Sequence, residues 1–326
     1  MAAMVPAGAA TPPSTQPIKV EHNVRYGTHD GSPLLLDVYQ PAERGSGRAA
    51  VMMIHGGAWY AGSKAGQAAE GSFLARHGYV AFAVDYTLDS ASVLGYPLQI
   101  HECQAAFRWI QDHAGAYGID RRRMAVFGGS AGGYLAAMVA LLGPGRPGYA
   151  RAAAAVSLSG PMDITAAVDA LKAGKLPCPP RGCHVDKTAS LHLQWLLGCV
   201  PLSCPASLLK EASPISHVTS PAPPFFLFNH ASEAIPVTQA TEMAAALRKA
   251  GVPVTILTPP GTKHGPNKLV DVAAPIGHFL STYLPPEHGP SDGVLAGIAA
   301  GAAAVVGAAV TVGVRLHRRR SPTPGA

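Results

Sequence analysis

The sequence predicts an α/β fold: an eight-stranded, mostly parallel sheet with helices on both faces. Three observations carry this. Short apolar runs rich in β-branched or aromatic residues alternate with stretches whose apolar residues recur at helical spacing, the alternation that builds parallel βαβ units. A chain of 326 residues, 48% hydrophobic, is long enough to bury the core such a sheet needs. Finally, a glycine-rich stretch, GGSAGG (Gly128 to Gly133), sits where a strand gives way to a helix.

The elements follow in order. IKVEHNVRYGT and PLLLDVYQ read as an antiparallel hairpin at one edge. AAVMMIHGG (Ala49 to Gly57) is an apolar strand ended by glycines, followed by a helical stretch to about His77 and the strand YVAFAVDY. YPLQIHECQAAFRWIQDHAGAYGI has helical periodicity, RMAVFGGS is a strand, and AGGYLAAMVALL is the next helix. AAAAVSLSG, PPFFLFNH and VPVTILTPP complete the strands, with a helix from Thr238 to about Ala250 before the last.

Residues 1–17, rich in Ala, Pro, Thr and Ser without periodicity, read as a disordered lead, and no signal peptide is legible there. The folded body is expected over 18–285. A Pro/Gly-rich linker, 286–293, then leads to the uncharged run Val294 to Val314, long enough as a helix to cross a hydrocarbon core, and to a basic tail, 315–326. A transmembrane helix with Arg315, Arg318, Arg319 and Arg320 on the cytoplasmic side would place the body outside, an extracytoplasmic expectation. A flexible low-complexity tail is the alternative. The same arginines account for much of the formal charge of +6 and leave the body near neutral, so nucleic-acid binding is not expected.

Cys178, Cys183, Cys199 and Cys204 are spaced C-x4-C-x15-C-x4-C among prolines. Two local disulfides are the expectation, with free thiols and a zinc site as alternatives. Cys103, alone in a helical stretch, is expected to be a small buried apolar residue.

GGSAGG matches G-x-S-x-G with Ser130 at its centre. Small residues are needed because the turn is sharp, and it lifts the serine hydroxyl above the sheet edge. A serine is a poor nucleophile without a base within hydrogen-bond distance. His264, in TPPGTKHGP just after the last strand, is the candidate base. HGGAW (His55 to Trp59) directly follows a strand, so the N–H groups of Gly56, Gly57 or Ala58, with that of Ala131 after the serine, are candidate donors to a developing oxyanion. His55 precedes these donors and reads as a loop-shaping residue.

Taken together, HGGAW, the run from Tyr96 through GGSAGG, SGPMDIT, ASPISHV and KHG resemble the α/β-hydrolase superfamily over about Val20 to Leu284. Within it they are most similar to carboxylesterases, acetyl-ester hydrolases and feruloyl-esterase-like enzymes akin to hormone-sensitive lipase. The resemblance implies a cofactor-free acyl hydrolase with a serine–histidine–acid triad, in which Ser130 and His264 carry over directly. It also implies that the insertion over 164–216 forms part of a cap above the pocket.

The acid departs from the family pattern. Where relatives carry an aspartate after the matching strand, this chain has the shortened stretch HASEAIP (His230 to Pro236), with Glu233 as its carboxylate. Asp163, in SGPMDIT after the preceding strand, is the rival, and a site with no functional acid is the third possibility. Glu233 is the expectation, since its extra methylene offsets a shortened loop. The expected reaction is cleavage of a small-molecule or lipid-like ester. A peptidase or amidase of the same fold, or a membrane-displayed binding protein with a decayed acid, are the alternatives.

Overall fold

The computed structural model describes residues 16–174, 185–265 and 270–285. The two leading segments pair as the antiparallel strands β1 (Ile18–His29) and β2 (Ser32–Pro41). They are joined through Asp30-Gly31, both with positive φ, the geometry a two-residue hairpin favours. The parallel body contains β3 (Arg48–Ile54), β4 (Val80–Val84), β5 (Ile119–Gly129), β6 (Ala154–Leu158), β7 (Phe225–Phe228) and β8 (Val254–Leu257). The eight strands form one sheet in the order β1-β2-β4-β3-β5-β6-β7-β8, and every pair from β4 to β8 is parallel.

Side chains alternate between two apolar layers with the period of a strand. On β3, Ala50, Met52 and Ile54 enter one core, while Val51 and Met53 enter the other. The first core is covered by α2 (Leu98–Asp112), α4 (Ala131–Leu142) and α8 (Val237–Lys249). The second is covered by α1 (Ala68–Arg76) and α9 (Val270–Tyr283). Helix α4 is apolar almost all round because it is buried almost all round, with only Leu142 exposed. A short helix, α3 (Ala114–Tyr117), leads into β5.

Between β6 and β7 the chain builds α5 (Ile164–Lys172), α6 (Val185–Leu197) and α7 (Ala206–Glu211). Leu193, Leu196 and Leu197 of α6 and Leu209 of α7 pack into the first core. The end of α6 is tied to the loop before α2 by hydrogen bonds from Gly95 N–H to the Trp195 carbonyl (3.2 Å) and from Tyr96 N–H to the Leu196 carbonyl (2.8 Å). This segment corresponds to the expected insertion over 164–216.

The expected lead (1–15 of it), the linker, the apolar run Val294 to Val314 and the basic tail lie outside the described residues. Among the described residues no helix is long and apolar enough to cross a membrane. Cys199 and Cys204 form a disulfide, whereas Cys178 and Cys183 lie outside the described residues. The described part of the cysteine cluster is thus disulfide-bonded, and no group of three or more potential metal ligands occurs among the described residues. Cys103 is a buried free thiol on α2, and burial pushes its ionisation well above the usual thiol range.

Candidate active site

The turn from β5 to α4 carries Ser130 at φ 55° and ψ −123°, a conformation an L-residue adopts only when its surroundings impose it. Two contacts do so here. The Ser130 N–H donates to the Leu158 carbonyl on the neighbouring strand at 2.7 Å, and the Ser130 carbonyl accepts from Tyr134 N–H at 3.1 Å. Close approach explains the following glycine: a Cβ on Gly132 would stand 2.0 Å from the Ile54 carbonyl oxygen.

His264 reaches the serine from the loop after β8. Its Nε2 lies 2.8 Å from Ser130 Oγ and its Nδ1 lies 2.8 Å from Glu233 Oε2. An ionised carboxylate only accepts, so Nδ1 carries the proton and Nε2 is left to accept from the serine hydroxyl. The His264 side chain is 38% exposed, while the Glu233 side chain is fully buried.

Glu233 is held by four donors. Its Oε1 accepts from Ser159 Oγ (2.7 Å) and His230 N–H (2.8 Å), and its Oε2 accepts from His264 Nδ1 and Gly265 N–H (3.0 Å). Burial pushes the carboxyl up, but the hydrogen bonds from His264, Ser159, Gly265 and His230 outweigh it and hold Glu233 below the usual carboxylate range.

Asp163 occupies a different position. It is the N-cap of α5, its Oδ1 accepting from Ala166 N–H at 2.9 Å, and Ser213 Oγ lies 3.4 Å away. The imidazole therefore meets Glu233, and Asp163 holds the start of α5 instead.

The loop after β3 is built from left-handed residues: Gly57 has φ 124°, Ala58 φ 49° and Trp59 φ 68°. Gly56 runs against the Gly129 carbonyl and the Ser130 Cβ. Of the four candidate oxyanion residues, Ala58 and Ala131 line a pocket with Ser130 and His264, and Gly56 and Gly57 precede Ala58 in the same loop without lining it. His55 stacks on Tyr86 with ring centres 4.3 Å apart, and its Nδ1 bonds the Gly56 carbonyl at 2.8 Å, as a loop-shaping residue would. Burial holds its imidazole below the usual range.

The pocket measures about 220 Å³, and Ile164, Ala167, Leu193, Ile235 and Pro236 make its walls largely apolar. Chemically the arrangement offers an activated hydroxyl, a proton acceptor and backbone donors at the mouth of an apolar cavity. Ser159 was not legible as part of it. The only signal is that SLSG ends the strand beside the GGSAGG strand, and nothing local marks its hydroxyl as a partner for Glu233.

Comparison with known proteins bears on the fold and the class of activity. The fold and its site define an α/β-hydrolase of the carboxylic ester hydrolase kind. The chain belongs to the BD-FAE family, whose model matches residues 36–247. The Mycobacterium tuberculosis protein named "Probable carboxylic ester hydrolase LipM" is 29% identical over 88% of this chain and 69% of its own length. Esterase LipC of the same organism is 30% identical over 87% of this chain and 70% of its own. Among solved structures, the thermophilic esterase Est2 of Thermogutta terrifontis with butyrate bound has a TM-score of 0.61 at 25% identity. It covers 82% of this chain and 92% of that one.

Proposed function

We propose that the chain hydrolyses carboxylic esters through an acyl-enzyme on Ser130. The carrying observation is the unbroken hydrogen-bonded line from Ser130 Oγ through His264 to Glu233, opening onto an apolar pocket. Ser130 Oγ attacks the ester carbonyl carbon as His264 Nε2 takes its proton. The carbonyl oxygen becomes an oxyanion facing the N–H groups of Ala58 and Ala131, the two candidate donors at the pocket, and each such donor is worth about 10²–10³ in turnover. His264 then protonates the alcohol oxygen and the ester C–O bond breaks. Water, deprotonated by His264, attacks the acyl carbonyl, and the acid leaves as Ser130 regains its proton.

Glu233 keeps the His264 proton on Nδ1 and stabilises the imidazolium formed in each half-reaction. No step needs a metal or organic cofactor. The apolar walls suit an uncharged acyl or alcohol group, and the neighbour solved with butyrate supports a small acyl chain.

The test is covalent labelling of the folded chain with a fluorophosphonate probe. Labelling confined to Ser130, lost in Ser130→Ala together with hydrolysis of p-nitrophenyl butyrate, is the expected result. A folded chain that neither labels nor hydrolyses the ester would overturn the reading, and preferential cleavage of aminoacyl amides would move it to the peptidases.

The membrane anchor and the placement of the hydrolase outside the cytoplasm are proposed on sequence alone. They rest on the uncharged run Val294 to Val314 and the arginines that follow it. Protease digestion of intact cells should release the hydrolase activity; full protection of the body would refute the outside placement.

A further inference from the structure

Beneath the loop that bears Ala58, three buried acceptor atoms have no hydrogen-bond partner: both carboxyl oxygens of Asp89 and Oε1 of Gln99. Asp89 is 3% exposed and Gln99 is fully buried. Leaving a buried polar group unsatisfied costs about 1–3 kcal/mol, so the arrangement calls for a compensating interaction.

The other end of Gln99 points to what that interaction serves. Its Nε2 donates to the Trp59 carbonyl at 3.0 Å and to the Thr87 carbonyl at 2.9 Å. Two carbonyls around one terminal atom fix the amide orientation, because only the nitrogen donates. Oε1 is then turned toward Gly95 and the Asp89 carboxyl. A Cβ built on Gly95 would meet Asp89 Oδ2 at 3.1 Å and Gln99 Oε1 at 3.2 Å, so the two acceptors converge on one spot. The Trp59 carbonyl also accepts Asp89 N–H at 3.1 Å. The hydrogen bonds to the Trp59 carbonyl therefore both come from this pair, while its ring packs edge-on against Tyr134 in the first core. Ala58 and Trp59 both stand in the left-handed region, at about 1–3 kcal/mol each for a non-glycine residue, and persist only because their surroundings over-determine them.

We propose that Gln99 is a positioning residue of the oxyanion loop, its amide nitrogen clamping the Trp59 carbonyl to that of Thr87 while the protonated Asp89 carboxyl donates to Gln99 Oε1 and locks the amide. The proposal rests on the esterase reading, since the loop matters to catalysis through Ala58 N–H. Burial alone lifts the Asp89 carboxyl to about 7, so it gives up its proton in the range where a hydrolase works. Asp89 lies in the loop after β4 with Asp85 and Tyr86, and the elements around it also carry Tyr96, His101, Glu102, Cys103 and Arg108 on or before α2 and Asp186, Lys187 and His192 on α6. Burial is the cause acting on the Asp89 carboxyl, and burial, Cys103 and then the ionised Asp89 carboxyl raise Tyr86 in turn. The Glu102 carboxylate is already bonded to Thr87 N–H and Oγ1, and Tyr86 donates to the His55 carbonyl. Ionised Asp89 thus faces Gln99 Oε1 with no proton between them, and the clamp loosens.

The experiment uses the full chain, p-nitrophenyl butyrate as substrate, and amide hydrogen exchange across residues 56–62 as a readout independent of turnover. Gln99→Met keeps the volume but removes the amide. It should lower kcat ten- to a hundredfold with KM within twofold, and should speed exchange at Ala58 and Trp59 at least tenfold. The wild type should lose kcat as pH rises through about 7, and Asp89→Asn, whose amide donates at every pH, should abolish that decline. Unchanged kcat and exchange in folded Gln99→Met, or an Asp89→Asn profile that still falls near the same pH, would overturn the proposal. If the wild type does not cleave the ester, the esterase reading fails on its own, and the exchange rates still decide the clamp. If Gln99→Met does not fold, the Asp89→Asn exchange and pH profiles decide.

Discussion

The Oε2 atom of Glu233 stands 2.8 Å from Nδ1 of His264, and the other oxygen of the same carboxylate is held by the backbone of His230 and the hydroxyl of Ser159. A glutamate in a shortened loop thereby reaches the imidazole with both oxygens occupied, which fixes its direction as well as its charge. Glu233→Gln should lower kcat about 10⁴-fold, as loss of the orienting acid does in other triads, with the fold intact. Glu233→Asp, which withdraws the carboxylate by one methylene, should cost about 10²-fold through misplacement. Asp163→Ala should destabilise by about 1 kcal/mol through the lost cap of α5 and leave turnover near wild type. Steady-state kinetics and urea melts on the three variants check this; loss of turnover only in the Asp163 variant would reverse the assignment.

Ser159→Ala removes one of the donors that hold the Glu233 carboxyl below its usual range. The folded pKa is depressed, so its stabilisation is complete above the unfolded value and disappears as pH falls through the folded one. Ser159→Ala should therefore cost about 1.5–3 kcal/mol near neutral pH, the worth of a hydrogen bond to a charged group, and the difference should close in acid. The acid limb of kcat/KM should move to higher pH at the same time. Denaturation at several pH values and a pH–rate profile measure both.

A second buried charge lies on β2, toward the hairpin edge of the sheet. Lys64 Nζ pairs with Asp37 Oδ1 at 2.8 Å and with Asn23 Oδ1 at 2.9 Å, and His22 Nδ1 meets the other Asp37 oxygen at 2.8 Å. Burial raises the Asp37 carboxyl, and the hydrogen bonds from Lys64, Asn23 and His22 bring it below its usual range. Lys64→Met should cost about 3–5 kcal/mol because it strands the carboxylate, and adding Asp37→Leu should recover much of that. A chemical-denaturation double-mutant cycle reads the coupling.

Ala167 lines the pocket beside Ile164. Ala167→Phe should fill part of the cavity and shift preference toward shorter acyl chains, each excluded methylene changing kcat/KM by about tenfold or more. The ratio for p-nitrophenyl octanoate against acetate checks it; an unchanged ratio would place the acyl chain elsewhere.

The parts of this molecule governed by local sequence are legible in the sequence itself. Glycines around Ser130 announce a turn that only small residues allow, and the strand runs announce the sheet by their period. Glu233 was visible as the carboxylate of an altered loop. Its holder, Ser159, is 74 residues away and directly follows another strand, so only the register of β6 beside β7 brings them together. The left-handed Ala58 and Trp59 were equally hidden, because neither residue type signals that conformation and the clamp on them is tertiary.

The base-bearing loop hangs from β8, which among the described residues is the last strand on that side, pairs with β7 alone and keeps only partly buried or exposed side chains. Beside it β7 and then β6 are fully buried, so β8 is the least protected strand on that side of the sheet. Warming should then fray this margin first and carry His264 away from Ser130 while the helices still register as folded. Residual turnover would act as a local thermometer: inactivation should set in several degrees before the loss of far-ultraviolet dichroism and should reverse on cooling from that interval.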